Sequence, residues 1–343
     1  MKNIFASICF VLALVAAHAA QAQTIRRCNN SGLTIAGVNI YTTLQAAHDA
    51  AAPGDIIYLE PTSISYGNLN CVRPLTIIGN GYFLGQNPGL QLDTRESQAS
   101  AIEFRSGSAG SRITGCVMSS INILVSNVTV ERNQISSSLY VGYPGATGPI
   151  TGAIVRQNYI NVMYFYIACT ACTISNANIN NNIIASGVNT SGAFSSLGNI
   201  LISNNVVGNL TGNSGGGIDV DNAVIKNNIL TQTTGTGSFT PRNNAYSYNI
   251  SGGTQFGTAN GNQQNIAPSA IFVGGTASTD GAFQLRTGSS AIGTGESGVD
   301  IGAFGGTIPY RIAGIPNVPA IYQFNQTVSG NTLNGTISTR SNN

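Results

Sequence analysis

The sequence predicts an all-β chain, a single-stranded right-handed parallel β-helix with a short N-terminal capping helix. Three observations predict it. First, one short pattern is written five times between Val125 and Leu230: apolar, two residues, apolar, one, apolar, two, Asn, one, apolar. Its markers Asn133, Asn158, Asn182, Asn205 and Asn228 stand 25, 24, 23 and 23 residues apart. Such a period belongs to solenoids, whose repeats bury their apolar faces only against neighbours. Second, the apolar positions are mostly Val, Ile and Ala, and β-branched residues suit strands. Third, the remainder of each repeat, such as 189–196 or 209–217, is Gly, Ser, Thr and Asn with little apolar content. A leucine-rich repeat shares the spacing but needs an apolar return that these stretches do not supply.

An Asn at each turn tolerates unusual backbone angles and bonds locally to the backbone. Stacked one above another, the five Asn are expected to form an amide ladder, as they do in cross-β assemblies. At roughly 23 residues per coil, residues 55–300 give about ten coils, roughly 50 Å tall at the strand spacing.

The elements follow in order. Residues 1–22 read as a secretory signal: Lys2, an apolar core over 4–17, and Ala20-Gln21-Ala22 as the small-x-small cleavage site. The mature chain is expected to begin near Gln23 and to be secreted or held at the cell surface. No later stretch is apolar and long enough to span a bilayer. Residues 23–305 form the β-helix domain. It starts with an irregular lead-in over 23–40 and a capping helix over 42–52, where Leu44, Ala47 and His48 recur at helical spacing. His48 is expected to be a partly buried surface residue. Residues 55–60 and 75–78 read as strands, Gly79-Asn-Gly81 as a turn, and 86–100 as a polar excursion. Strands resume at 101–104 and 112–118, where Cys116 takes the ladder position. After the repeats the pattern fades over 231–262, with one degenerate coil at Tyr248-Asn249-Ile250. The last strand candidates are 271–273, 283–285 and 290–301. Residues 306–343 contain Pro309, Pro316 and Pro319 and an alternating run over 321–337. They read as a C-terminal cap or as a tail reaching back along the body.

After residue 22 the cysteines are Cys28, Cys71, Cys116, Cys169 and Cys172. An oxidising compartment permits disulfides. Cys28 with Cys71 would tie the lead-in to the first coil. Cys169 and Cys172 read as a local disulfide or two packed thiols. A net charge of +2 with 8% charged residues gives no basic field for nucleic acid.

Stacking the repeats in register aligns Glu131, Arg156, Asn180, Ser203 and Lys226, and beside them Arg132, Gln157, Asn181, Asn204 and Asn227. Together they form an outward polar strip roughly 20 Å long at the strand spacing. Amides and guanidinium groups offer fixed donors to sugar hydroxyls and carboxylates, which makes an extracellular polysaccharide the expected partner. Tyr140, Tyr143, Tyr159, Tyr164, Phe165 and Tyr166 offer stacking surface, some of it packed inward. The plain alternative is a solvated face with a Glu131–Arg156 ion pair of little worth. If Val220 points inward, Asp219 and Asp221 point outward together, as solvated acids or as ligands of a cation such as Ca²⁺.

Residues 42–60, Thr-Thr-Leu-Gln-Ala-Ala-His-Asp-Ala-Ala-Ala-Pro-Gly-Asp-Ile-Ile-Tyr-Leu-Glu, resemble the opening cap helix and first strand of secreted proteins with the pectin-lyase-like β-helix. Residues 290–304, ending in Asp-Ile-Gly-Ala-Phe, resemble the closing segment of the same group. The resemblance covers 42–305 and implies the fold. Its members include polysaccharide lyases, galacturonases, tailspikes and adhesins, so two functions beyond sugar binding follow from it. One is a polysaccharide lyase, with Arg156 or Lys226 as base and Asp219 and Asp221 holding Ca²⁺, which lowers the cost of the enolate charge. The other is a non-catalytic structural or adhesive surface protein. The clustered aspartates, His and Arg-x-Lys of the galacturonases have no counterpart here: after residue 22 the chain carries seven Asp and one Lys.

Overall fold

The computed structural model describes residues 23–32, 35, 37–167, 169–208, 217–233, 242–275 and 277–342. Residues 1–22, where a secretory signal is expected, and residues 209–216 lie outside them. The chain is an all-β structure of long parallel sheets. From Ile56 onward it alternates between an eleven-stranded sheet and a ten-stranded one, and each return lands parallel to the strand laid down one repeat earlier. Three returns also touch a short third sheet, Ile150–Thr151, Ile174–Ser175 and Leu197–Gly198. This arrangement is consistent with a parallel β-helix. Eleven strands at about 4.8 Å spacing make the first sheet roughly 50 Å long.

Register follows the repeat. Ile113, Val130, Val155, Ile179, Ile202 and Ile225 stack in one column and are fully buried. Each such side chain contributes about 1.5–3 kcal/mol by leaving water. The next residues, Thr114, Glu131, Arg156, Asn180, Ser203, Lys226 and Ser247, stack beside them on the opposite face. That opposition is the period-two geometry of a strand.

The five ladder Asn are all fully buried. The backbone N–H and Nδ2 of Asn133, Asn158, Asn182 and Asn205 each donate to Oδ1 of the Asn one repeat on, at 2.9–3.2 Å. The chain of amides runs on through Asn228 and Asn249 to Asn262, and starts at Cys116, whose N–H donates to Asn133 Oδ1. The left-handed residue is not the ladder Asn but the one before it: Arg132, Gln157, Asn181, Asn204, Asn227 and Tyr248 have φ of 53–56°. Non-glycine residues pay roughly 1–2 kcal/mol for that conformation. The turn orients the following amide along the stack, and the ladder bonds offset the cost. A second left-handed row, Asn127, Asn176, Asn199 and Asn222, lies at another corner, with Gly152 in the same place.

Several elements differ from expectation. Ile25–Cys28 is a strand, inserted between Ile40–Tyr41 and Ile56–Leu59. Its arginines do not mark a loop, because Arg26 pairs with Asp55 and Arg27 with Glu60. The helix is Leu44–Ala50, capped by the Thr43 side chain, with Leu44 and Ala47 in the main core. His48 is 1% exposed: its Nε2 accepts from Val72 N–H, and its Nδ1 faces Asp49 Oδ1 at 2.8 Å. Cys28 and Cys71 are buried free thiols, each donating to a backbone carbonyl, whereas Cys169 and Cys172 are joined by a disulfide.

The late strand candidates are turns. Pro268 opens a short helix to Ile271, and Gly281–Phe283 and Glu296–Gly298 are 3₁₀ turns. Phe272 and Leu285 keep one isolated bridge. From Glu296 to Asn317 the chain runs back along the body as a strap. It covers Ile183, Val206 and Ile229, apolar residues on the side of the second sheet away from the main core, and Ile250 joins the same cluster with Ile271, Phe272 and Ala291. Residues 320–340 then form an antiparallel hairpin, Ala320–Ser329 with Thr332–Arg340.

Candidate functional site

The strip proposed from register splits into two rows with different fates. In the first, Glu131 is 1% exposed and clamped between two guanidinium groups, with Arg112 Nε at 2.8 Å and Arg156 Nε at 2.6 Å. Burial opposes its ionisation, but the two arginines outweigh burial and hold the carboxyl below its ordinary 4.5. Lys226 pairs with Glu296 of the strap. Both candidate bases are therefore engaged in ion pairs. Asn180 is half-buried with an unpartnered Oδ1, and Ser203 is buried.

The second row is not open to solvent, which corrects the outward reading of Arg132, Gln157, Asn181, Asn204 and Asn227. All five are under 9% exposed because the strap lies on them. Glu296 N–H donates to Asn227 Oδ1 at 2.9 Å, and Asn204 Nδ2 donates to Asp300 O at 3.2 Å. Asn181 Nδ2 reaches Ala303 O and Gly305 O at 3.0 and 2.7 Å. Gln157 donates to Pro309 O, and Arg132 Nη1 to Ile315 O at 2.9 Å. A left-handed turn points its side chain outward with no strand partner, so it needs acceptors. The strap carbonyls supply them to Arg132, Gln157, Asn181 and Asn204, while Asn227 accepts from the Glu296 N–H instead, and these residues serve as the seat of the strap.

Val220 is buried with Asp219 and Asp221 partly exposed on either side. Each has partners of its own. Asp221 Oδ1 accepts from Asn222 N–H and Asn243 N–H, while Asp219 lies 3.5 Å from the Arg242 guanidinium. Burial raises the Asp219 carboxyl against the pull of Arg242. Among the described residues no three His, Cys, Asp or Glu side chains gather as a cation site.

The outer face of the second sheet gathers aromatic and polar side chains beside a cleft. Glu103, Asn122, Tyr140, Tyr164 and Asn189 stack there in one column. Their inward neighbours Ile121, Leu139, Met163 and Val188 are fully buried, so the strand period turns the tyrosines outward. The Tyr140 and Tyr164 rings are stacked at 5.1 Å with a 13° tilt, and Tyr143 and Tyr166 pack against Tyr140 at 4.8 and 6.3 Å. Asn122 Nδ2 donates to Glu103 Oε1, and Arg105 Nε to Glu103 Oε2 at 2.7 Å. Beside this face opens a cleft of about 650 Å³ lined by Glu103, Arg105, Leu124, Ser126, Pro144 and Thr147. Tyr159 and Phe165 are not part of it: Tyr159 packs edge-on against Phe83, and Phe165 is in the core. The four tyrosines stood in the sequence, but their gathering depended on the in-register pairing of Gln134–Val141 with Tyr159–Tyr166.

No family model matches the chain, and neither a curated protein nor a solved structure matches it. No helix among the described residues is long and apolar enough to cross a membrane.

Proposed function

We propose that this chain is a secreted right-handed parallel β-helix of the pectin-lyase-like kind that binds extracellular polysaccharide through the outer face of its second sheet. The observation that carries the reading is the outward Tyr140–Tyr164 stack flanked by Tyr143 and Tyr166. Flat amphipathic rings suit the apolar faces of sugars, while phenol oxygens, Asn189 and the Glu103–Arg105 pair, which the buried Asn122 braces, suit their hydroxyls. The cleft beside the tyrosines gives a chain-like ligand room to continue. Arg156 and Lys226 are held by carboxylates, which favours binding over lyase chemistry.

The test is calorimetry of residues 23–343 against neutral and uronate-containing polysaccharides, with Tyr140→Ala and Tyr164→Ala compared. Each substitution is expected to weaken binding about tenfold, or ~1.4 kcal/mol. The same panel is followed for ultraviolet-absorbing unsaturated products with Ca²⁺ and with chelator. Calcium-dependent product would establish a lyase instead. Binding indifferent to both tyrosines would remove the site.

A further inference from the structure

We propose that the C-terminal hairpin is a self-association element, in which the Thr332–Thr339 edge pairs antiparallel with the same edge of a second copy of this chain. The hairpin stands out from the body. Residues 323–337 are exposed, and its register puts Phe324 opposite Ile337 and Val328 opposite Leu333 on one face. These four are 45–74% exposed. The other face carries Asn325, Thr327, Thr332, Asn334 and Thr336. A two-stranded ribbon is at best marginally stable in water, and a third strand or a covering layer is what stabilises it.

Charge and area choose the occupant. Residues 320–339 contain no Asp, Glu, Lys, Arg or Pro, so the edge has none of the devices that keep exposed strands apart. An uncharged surface complements another uncharged surface, and the hairpin of a second copy is one. The apolar face alone is about 33 Å by 10 Å, roughly 330 Å². A stable dimer needs about 800 Å² per partner. Burial of that face alone falls short, so the contact needs the main-chain hydrogen bonds that edge pairing along residues 332–339 supplies, and such pairing joins the two apolar faces into one. The first strand is already tied at its base, where Leu92 N–H donates to Ile321 O. The second strand is held at its base through a side chain, Arg340 Nη2 donating to Leu90 O at 2.6 Å, so its main-chain edge over residues 332–339 is the freer one.

Symmetry then fixes the register. An isologous pair is self-complementary. Centred on Gly335, it sets Leu333 opposite Ile337 of the second copy and Asn334 opposite Thr336. Apolar meets apolar and polar meets polar, and the four-stranded sheet gathers eight apolar side chains on one face.

The experiment is light scattering coupled to size exclusion on residues 23–343 from 1 to about 200 μM, together with Leu333→Lys/Ile337→Lys and Gly335→Cys. Wild type is expected to reach twice the monomer mass, and the double lysine variant to stay monomeric with an unchanged circular dichroism melt. Gly335→Cys is expected to give an oxidised band of double mass that reductant removes. Cys28, Cys71 and Cys116 are buried and do not compete. A wild-type monomer across the range, a dimer untouched by the lysines, or no crosslink through Cys at 335 would each overturn the proposal.

Discussion

Glu131 shows how one residue's charge is held in a chain with few charges. It is buried, yet Arg112 and Arg156 keep it ionised from either side. Its folded pKa lies below its unfolded one. The stabilisation is therefore complete above the ordinary 4.5 and is lost as pH falls through the folded value. Glu131→Gln is expected to cost about 1–3 kcal/mol at pH 7, since both arginines stay about a third exposed and hydrated. Denaturant titrations from neutral to acid pH check this: the gap between wild type and variant should be flat above the ordinary carboxylate range and narrow steadily as pH falls below it. A gap that does not change on acidification would mean that shape, not charge, carries the contact. At this scale the sequence was legible where one residue type recurs, as in the ladder Asn. It was not legible at Arg132 and Gln157, because a left-handed position taken by Arg or Gln carries no compositional mark.

Elements were legible where the apolar period was clean and hidden where both faces are covered. Ile183-Ile184, Val206-Val207 and Ile229-Leu230 are doubled apolar residues, one turned to each side of the second sheet. Doubling of this kind marks a strand buried on both faces, and it was the available sign that something covers the outside. The strap does so, and its own sequence is Gly- and Pro-rich with no strand period. Close contact explains that composition. Gly314 has φ of 53°, and a Cβ there would collide with Cε1 of Tyr82. The Tyr82 hydroxyl is 2.5 Å from that of Tyr310, which donates to the buried Asp280 carboxylate. Asp280 Oδ2 also accepts from Ala313 N–H at 2.6 Å. Gly314→Ala is expected to cost 1–3 kcal/mol or more by overpacking and to loosen the strap first. Hydrogen exchange should show faster exchange at the amides of Tyr310 and Gly314, with the Asn182 amide unchanged. Equal protection in variant and wild type would mean that the strap is not latched here.

At the scale of the molecule, the strap changes what the repeats alone would do. Strands that pair only with their neighbours give a stability that is a sum of local terms, and such stacks fray from an end. The strap contacts rows from Asn227 back to Tyr82, whose N–H donates to Ala313 O. It thus joins returns of the chain that lie far apart along the sheet. Its reach was invisible in the repeat pattern, because the pattern records contacts one period away and the strap contacts span from 69 residues, at Asn227–Glu296, to 231, at Tyr82–Ala313. The expected consequence is one cooperative unit. Ile77→Ala, a fully buried site in the early strands, should cost about 2–5 kcal/mol. Native-state hydrogen exchange in low denaturant then reads both ends. The opening free energy should fall equally at the Ile57 and Ile250 amides, though they sit near opposite ends of the sheets. Were the loss confined to the strands around Ile77, the two ends would be opening independently, and the strap would be a cover for the apolar row rather than a tie between the ends.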